Sequence, residues 1–301
     1  MSQAEFLINI TQYQQPFFNA LAALFTFVGN EEFYFLIVPL VYWCIAKQAG
    51  FRLFYIFLLS VTINAFLKIT YAIERPIGTE GINSLYIESA EVGSHYPYDS
   101  FPSGHAQGST TLWGYLAYLV AKPLFLVFSI ILILCISFSR LYTGLHWPTD
   151  VVIGIIVAVI ILIISIRLQD KISKLSEKVK WTLAIVTPLL IVAVFPEEEG
   201  VKYAGFLLGA GIGYLFEYKK VRMIISKKVW RKTAAYVVGL VGLFALQVGL
   251  KVLLPEMLVF DFIRYGCIGL WGLLGAPYLF VKLHIYKKDY ETTIPSEHLS
   301  V

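Results

Sequence analysis

Three short polar stretches interrupt a strongly apolar chain between residues 68 and 150: Lys68-Ile-Thr-Tyr-Ala-Ile-Glu-Arg75-Pro76, Phe101-Pro102-Ser103-Gly104-His105 and Ser139-Arg140-Leu-Tyr-Thr-Gly-Leu-His146-Trp-Pro-Thr-Asp150. Together they bring cations, two histidines, a Ser-Gly turn and a carboxylate to the ends of apolar segments. Charged side chains beside membrane-spanning segments are costly and usually functional. The pattern therefore indicates a site that apolar helices carry to one side of a membrane.

The composition is that of a membrane protein. Of 301 residues, 58% are hydrophobic and 15% are charged, whereas a soluble domain has about 25% charged residues. Apolar runs of about 17 to 25 residues recur along the chain, and in a bilayer such runs must be helices. The first residues lack a basic n-region and a small-residue cleavage site, so we expect no removable signal peptide. The fold class predicted is an all-α, polytopic transmembrane bundle.

The apolar runs and their boundaries predict ten transmembrane helices, over about residues 7–29, 31–46, 53–74, 103–122, 124–141, 148–168, 181–196, 201–217, 233–253 and 258–281. The third should end before Pro76, because proline disfavours helix in the preceding residue. The fourth should begin at Ser103, a common N-cap type. Residues 169–180 predict an amphipathic surface segment. We divide the chain into a six-helix core, residues 1–170, and a four-helix extension, residues 171–301.

The charges predict an orientation. The loops after the second, fourth, sixth and eighth helices, with the C-terminal tail, hold 18 of the 24 Lys and Arg residues, and the other side holds 13 of the 20 acids. By the positive-inside rule the basic side is cytoplasmic. We therefore expect a bacterial cell-membrane protein with both termini in the cytoplasm and the polar stretches on the extracytoplasmic face. A first helix lying in the membrane interface would change the count.

Glycines mark the predicted extension. Gly205, Gly209 and Gly213 recur at a four-residue step, and a second thread has a three-residue step over Gly266, Gly269, Gly272 and Gly275. Small residues at such spacing allow close packing of membrane helices, which is the interpretation we favour. On the last helix, Asp261 and Arg264 are three residues apart and should form a pair.

The polar stretches contain the cations that hydrolysis of a phosphate ester requires. Lys68 and Arg75 are seven residues apart, so we expect them on one face of the third helix. Arg75 and Arg140 can each fork two oxygens, while Lys68 supplies a point charge. Ser103 and Gly104 open the fourth helix, where free backbone N–H groups bind anions. The predicted phosphate-binding residues are therefore Lys68, Arg75, Ser103, Gly104 and Arg140.

The same stretches contain a nucleophile, its partner and an acid. His146 and Asp150 are four residues apart at the start of the sixth helix, within side-chain reach. A carboxylate bonded to one ring nitrogen leaves the other free to attack, so we assign His146 as the nucleophile that forms a phosphohistidine and Asp150 as its orienting partner. His105 should protonate the leaving oxygen and then deprotonate water. This chemistry needs no cofactor and no metal, and none is predicted.

These motifs resemble the signature of the type 2 phosphatidic acid phosphatase (PAP2) superfamily: Lys68-x6-Arg75-Pro76, Pro102-Ser103-Gly104-His105 and Ser139-Arg140-x5-His146-x3-Asp150. The superfamily includes lipid phosphate phosphatases, undecaprenyl pyrophosphate phosphatases, glucose-6-phosphatase and vanadium haloperoxidases. The resemblance covers about residues 7–168, implies a six-helix core and implies the same residue roles. Gly29-Asn-Glu-Glu-Phe and Pro39-Leu-Val-Tyr-Trp43-Cys look like bacterial members akin to sphingosine-phosphate phosphatases. The four further helices depart from the six-helix pattern.

The function we expect is metal-independent hydrolysis of a lipid phosphate or pyrophosphate. Undecaprenyl pyrophosphate, phosphatidic acid, phosphatidylglycerol phosphate and sphingoid phosphates are all candidate substrates, and the apolar third and fourth helices could admit an acyl chain. A lipid phosphotransferase using the same intermediate is the alternative, since a phosphohistidine can also transfer to an acceptor other than water. A transporter or scramblase with a vestigial site is the alternative from another class. The expected partners are the lipid substrate and the bilayer, with no nucleic acid; a homo-oligomer stays open.

Overall fold

The computed structural model describes residues 1–90 and 95–290. The helices in these ranges are α1 (Gln3–Thr11), α2 (Pro16–Val28), α3 (Glu31–Leu40), α4 (Lys47–Tyr71), α5 (Gly104–Val120), α6 (Pro123–Tyr142), α7 (Pro148–Ser173), α8 (Glu177–Val194), α9 (Glu198–Phe216), α10 (Val229–Leu253), α11 (Leu258–Leu270) and α12 (Ala276–Lys282). A 3-10 turn, Ile87–Ser89, lies in the loop before α5. Residues 291–301 of the predicted extension lie outside the described residues.

Three π-helical segments continue the helices that precede them: Val41–Ile45 after α3, Glu217–Val221 after α9 and Trp271–Gly275 after α11. The strands β1 (Met223–Ile224) and β2 (Lys287–Lys288) pair antiparallel, with Met223 opposite Lys288. Every predicted helix is present as one or more of these elements. The prediction of an all-α, polytopic membrane fold is confirmed.

The number of full spans differs from the prediction. In the described residues, five helices are long and apolar enough to cross a membrane: Lys47–Tyr71, Pro123–Tyr142, Pro148–Ser173, Val229–Leu253 and Leu258–Lys282. A sixth counts if Pro16–Val28 and Glu31–Ile45, bent by 50°, form one span. By length and composition this is fewer than ten, because α5 has only 17 residues and both α8 and α9 begin with charged residues.

The predicted first helix, residues 7–29, is two short helices, because the chain breaks after Thr11 and restarts at Pro16. Helix α1 lies at the end of the bundle that carries the polar stretches. There the Gln3 side-chain oxygen accepts hydrogen bonds from the Thr149 backbone at 3.1 Å and from its hydroxyl at 2.9 Å. The residues around Gln3 therefore lie at the same end as the start of α7.

The last described residues lie at the other end of the bundle. Strand β2 pairs with β1, and the carbonyl of Met223 in β1 faces the Lys47 ammonium group at 3.5 Å. Lys47 begins α4, and Lys68 lies near the opposite end of that helix. The prediction that both termini share one side is therefore wrong for the described chain. The charge asymmetry survives this correction, because residues 1–46 contain no Lys or Arg.

Two other predicted boundaries change. Residues 47–52, which lie between the second and third predicted helices, form the first turns of α4, which ends at Tyr71 rather than at residue 74. Residues 169–180 are not a separate surface segment, since α7 continues to Ser173 and α8 begins at Glu177. Both changes add polar residues to the ends of helices that were predicted to be shorter.

Helix α3 and its π-helical segment join the two halves of the molecule. Tyr34 and Val38 pack with residues of α4, α5 and α7 in one buried apolar cluster. Tyr42 and Trp43 belong to a second cluster, formed with α9, α10 and α11. The π-helical turn is also tied to the extension by hydrogen bonds, since the Trp43 indole donates to the Gly272 carbonyl at 2.8 Å. The helices that carry the polar stretches are therefore anchored against the extension through α3.

Candidate active site

A cavity of about 530 Å³ lies at the end of the bundle where α4 and α6 end and α5 and α7 begin. Two of the predicted site residues, Ser103 and Asp150, lie buried behind its wall, where the Ser103 N–H donates to the Asp150 carbonyl at 3.0 Å. The fold thus brings all the predicted site residues to one place from three separate stretches. The other six line the cavity: Lys68, Arg75, Gly104, His105, Arg140 and His146.

Arg75 reaches the cavity from outside the helix. Since α4 ends at Tyr71 and Ala72 takes a left-handed backbone conformation, with φ 46°, the chain turns away before Arg75. The expectation that Lys68 and Arg75 share one face of a helix is therefore wrong. Their side chains nevertheless converge, because both bind the same residue, Asp99.

Asp99 positions both cations. Its two carboxylate oxygens accept hydrogen bonds from Arg75 Nε at 2.7 Å and Arg75 Nη2 at 2.8 Å, and its carbonyl accepts one from Lys68 Nζ at 2.6 Å. Burial acts to raise the pKa of the Asp99 carboxyl, but the hydrogen bond from Arg75 and the charge of Lys68 outweigh it and hold the pKa below its usual value. Asp99 is therefore an ionised, bidentate clamp on Arg75.

His146 presents one ring nitrogen to Arg75. The distance from His146 Nε2 to Arg75 Nη1 is 3.0 Å, and a guanidinium group only donates hydrogen bonds, so Nε2 is the acceptor. In the neutral ring the proton then lies on Nδ1, which is 3.5 Å from Asp150 Oδ2. The same Asp150 oxygen accepts hydrogen bonds from the Ser100 hydroxyl at 2.6 Å and the Trp147 N–H at 2.8 Å. Asp150 is therefore fixed in place and faces Nδ1.

The surroundings of His146 favour its neutral form. Burial lowers the pKa of the imidazole well below its usual value, and the positive charges of Arg75, Arg140 and Lys68 lower it further. A neutral imidazole with an accepting Nε2 has a lone pair available for attack.

Arg140 has donors without partners. It is fully buried, and its Nη1 donates to Ser89 Oγ at 3.1 Å and to Thr26 Oγ1 at 3.3 Å. Among the residues that the structure describes, its Nε and Nη2 have no hydrogen-bond partner, and neither has the buried hydroxyl of Ser103 at the start of α5. Buried donors without partners are costly. A guanidinium group with unpaired donors, beside a cavity that Lys68 and Arg75 also line, is suited to bind an anion.

His105 lies in the first turn of α5, where its Nε2 is 2.8 Å from Asn30 Oδ1. Asn30 occupies the N-cap position of α3, yet its side chain makes no capping hydrogen bond. It turns to His105 instead. The bend between α2 and α3 therefore places an orienting amide beside a predicted acid.

Sequence reasoning did not identify Asp99, Asn30 and Ser100 as site residues. Asp99 and Ser100 lie just before Phe101 in a loop rich in polar residues, and no spacing rule singles them out. Asn30 has the form of an ordinary helix boundary. The available signal was the position of the Asp-Ser pair two residues before the Pro-Ser-Gly-His stretch.

Comparison with known proteins covers both halves of the chain. Residues 49–174 match the family described as PAP2 superfamily, and residues 201–288 match the one described as PAP2 superfamily phosphatase, transmembrane extension. Together these matches include most of the chain and all eight predicted site residues. A crystal structure of Aquifex aeolicus LpxE is similar at a TM-score of 0.47 and 22% identity, over 54% of this chain and 93% of that one.

Curated relatives include a probable sphingosine-1-phosphate phosphatase of Dictyostelium discoideum, 28% identical over 51% of this chain and 39% of that protein. The mouse sphingosine-1-phosphate phosphatase 1 is 30% identical over 58% of this chain and 41% of its own length. An undecaprenyl-diphosphatase of Sulfolobus acidocaldarius is 27% identical over 44% of this chain and 63% of its own length. The chain thus spans about two fifths of the two sphingosine-phosphate relatives. With the three polar stretches gathered at one cavity and both family patterns matched in order, the chain belongs to the PAP2 superfamily of integral membrane proteins.

Proposed function

We propose that the protein hydrolyses a phosphorylated lipid, a monoester or a pyrophosphate, through a phosphohistidine intermediate and without a metal. The observation that carries the proposal is the buried Arg140. Its Nε and Nη2 have no hydrogen-bond partner in residues 1–90 and 95–290, and they lie at the same cavity as the accepting Nε2 of His146. The names of the relatives support the substrate classes, namely sphingosine phosphate and undecaprenyl diphosphate. In this proposal Lys68, Arg75, Ser103, Gly104 and Arg140 bind the phosphoryl oxygens.

The proposed reaction has two steps. In the first, His146 Nε2 bonds to phosphorus and the bond from phosphorus to the leaving oxygen breaks, which is the ester oxygen of a monoester or the bridging oxygen of a pyrophosphate. His105 donates a proton to that oxygen. In the second, water attacks phosphorus, His105 takes its proton, and the P–N bond breaks to release phosphate. Asp150 stabilises the imidazolium by facing Nδ1, and the buried guanidinium of Arg140 stabilises the charge that develops on the phosphoryl oxygens.

The test is phosphate release in detergent from lipid phosphates, with EDTA present. His146→Ala should lower kcat/KM by a factor on the order of 10⁴, because the group that forms the intermediate is lost. His284→Ala is the matched control: this histidine is exposed at the opposite end of the bundle and should keep full activity. Undiminished release by His146→Ala would overturn the nucleophile assignment. Loss of activity with EDTA would overturn the metal-free mechanism.

We further propose that the cavity opens on the extracytoplasmic face, since the basic loops lie at the other end of the bundle. Single cysteines, in a background in which Cys44, Cys135 and Cys267 are alanine, test this with an impermeant thiol reagent on intact cells. Glu198→Cys and Tyr13→Cys should react, because both positions lie at the cavity end. Lys227→Cys should not react. Labelling of Lys227→Cys alone would invert the orientation.

A further inference from the structure

A second cavity, of about 450 Å³, lies between the core helices α3 and α4 and the extension helices α9, α10 and α11. We call it the tail cavity. Aromatic and aliphatic side chains make up most of its wall, with Phe54, Phe206 and Leu243 from three different helices. Its volume is in the range of sites that hold small molecules, about 300–1,000 Å³. It is therefore large enough for a ligand, and its wall suits an apolar one.

The tail cavity adjoins the cavity of the candidate active site, which we call the polar cavity, and the two share part of their walls. Val61 lies on α4, about two turns before Lys68, so the shared wall leads directly to a phosphate-binding residue. A molecule with an anionic head at Lys68 and an apolar body would fit both cavities at once. The following residues line both cavities: Glu31, Glu32, Tyr34, Phe57, Val61 and Tyr203.

The tail cavity is long. Along α3 its wall extends from Glu31 near the polar cavity to Trp43 at the far end, and twelve helical residues span about 18 Å. That is more than half of the hydrocarbon thickness of a bilayer, about 30 Å. The far end is closed by the hydrogen bond from Trp43 to Gly272 and by the buried side chain of Leu273.

Gly272 shows where close packing of the extension stops. A Cβ atom added at Gly269 would lie 2.5 Å from the Phe206 carbonyl, whereas one added at Gly272 would meet no atom within 4 Å. Gly272 lines the tail cavity, so the open space beside it belongs to that cavity. Protein interiors are otherwise close-packed, and an unfilled apolar space forfeits dispersion contacts and favours an apolar ligand.

We propose that the tail cavity binds the hydrocarbon chain of the lipid whose phosphate lies in the polar cavity. This inference rests on the proposed function and narrows its substrate class to lipids with a long chain that reaches towards Trp43. It also assigns a role to the extension, which supplies three of the five helices around the chain. A chain in the bilayer is already in hydrocarbon, so selectivity arises from the fit of the chain and not from its removal from water.

The first experiment fills the tail cavity from Gly272. Gly272→Leu should lower kcat/KM for octadecyl phosphate by about tenfold or more, which corresponds to a loss of about 1.4 kcal/mol, because the added side chain occupies space that the hydrocarbon chain needs. Hydrolysis of ethyl phosphate should stay within about twofold of the wild type, because that substrate has no chain to place. Gly249→Leu is the matched control: its added side chain also meets open space, and Gly249 lines neither cavity. Equal activity of Gly272→Leu and wild type on octadecyl phosphate would overturn the proposal.

A second experiment uses the wild-type protein and does not depend on catalysis. An octadecyl phosphate probe with a diazirine at the far end of its chain should cross-link to peptides around Leu243 and Leu273. Octadecyl phosphate should compete for this site better than octadecanol. Cross-links spread over the lipid-facing surfaces of α6 and α7, or equal competition by octadecanol, would overturn the tail assignment. Absence of hydrolysis together with the expected cross-links would refute the proposed function and leave the tail cavity supported.

Discussion

The polar-site end of the core and the middle of the extension are held together in different ways. Around the site, buried side chains hydrogen-bond to one another: Ser60 contacts Thr111 at 2.9 Å, and Asn64 donates to Gln107 at 2.8 Å. In the extension, α9 and α11 pack backbone against backbone, with the Cα of Gly209 facing the carbonyl of Gly266. Hydrogen bonds between side chains fix the orientation of those side chains, which a catalytic site needs. Glycine contacts fix the distance between two helices, here α9 and α11, which form part of the wall of the tail cavity.

The largest effect should come from volume added between α9 and α11. A Cβ at position 209 would lie 1.9 Å from the Gly266 carbonyl, so Gly209→Val must push two helices apart. We expect a loss of at least about 3 kcal/mol of stability, the upper part of the range for overpacking. The loss of stability is measured by thermal unfolding in detergent, with size-exclusion chromatography used to detect the unfolded protein. Gly249→Val should unfold like wild type, and an unchanged midpoint for Gly209→Val would contradict the packing described for the extension.

The next effect concerns orientation at the site. Asp99→Asn removes the charge that clamps Arg75 and faces Lys68. Arg75 loses its ionic partner, while Lys68 keeps its hydrogen bond to the backbone carbonyl of residue 99. We expect kcat/KM to fall by about tenfold to a hundredfold, as is usual for groups that orient a functional residue. Glu217→Gln is the control, because Glu217 is also a buried carboxylate paired with a lysine, Lys47, but at the opposite end. A full-activity Asp99→Asn would show that Arg75 needs no clamp.

A third effect is a shift along the pH axis. Because burial and nearby cations hold the pKa of His146 well below its usual value, the nucleophile should stay neutral as the pH falls through 6.5. The acid limb of kcat/KM should therefore lie below pH 6.5. Arg75→Gln removes a positive neighbour, which favours the protonated ring, so its residual activity should have an acid limb at higher pH. An acid limb above pH 6.5 in the wild type would contradict the environment described for His146.

The smallest effect should come from one hydroxyl in the core. Ser60 is buried, and its hydroxyl contacts Thr111 and the Gln107 amide. Ser60→Ala should cost about 1 to 2 kcal/mol of stability, with the same fold and chemistry, because the buried hydrogen bonds to Thr111 and Gln107 are lost. Thr233→Ala on α10 should cost less, since that hydroxyl is exposed and bonds only to the backbone of its own helix. Chemical unfolding of the two variants side by side measures the difference.

Much of the fold could be predicted because apolar length alone defines a membrane helix. The positions of the helices and the Asp261–Arg264 pair, which the structure contains, followed from spacing. The split of residues 7–29 did not, since an apolar run does not reveal a break that depends on packing against Tyr142 and Thr149. The predicted division at residue 170 stays a prediction.

The structure brings the predicted site residues to one cavity, but not in the predicted geometry. The roles of Lys68 and His146 were predicted from their residue types and spacing, and they stay predictions. Arg75 was predicted to lie on the third helix, but it lies in the loop after α4. The helix ends early because Ala72 takes a left-handed backbone conformation, which alanine does not favour. Asp99 was not identified, since a clamp is defined by what it touches in space. The prediction that these glycines allow close helix packing was right for Gly269 and wrong for Gly272, beside which the tail cavity lies.

The placement of α1 beside Thr149 has a practical consequence for handling the protein. A fusion partner or affinity tag joined before Gln3 would lie beside the mouth of the polar cavity, where it would compete with the approach of lipid head groups. One joined after the described part of the chain, past β2, would lie at the far, basic end of the bundle. For kinetic work and for immobilisation on a surface, the far end is therefore the attachment point that leaves the mouth open.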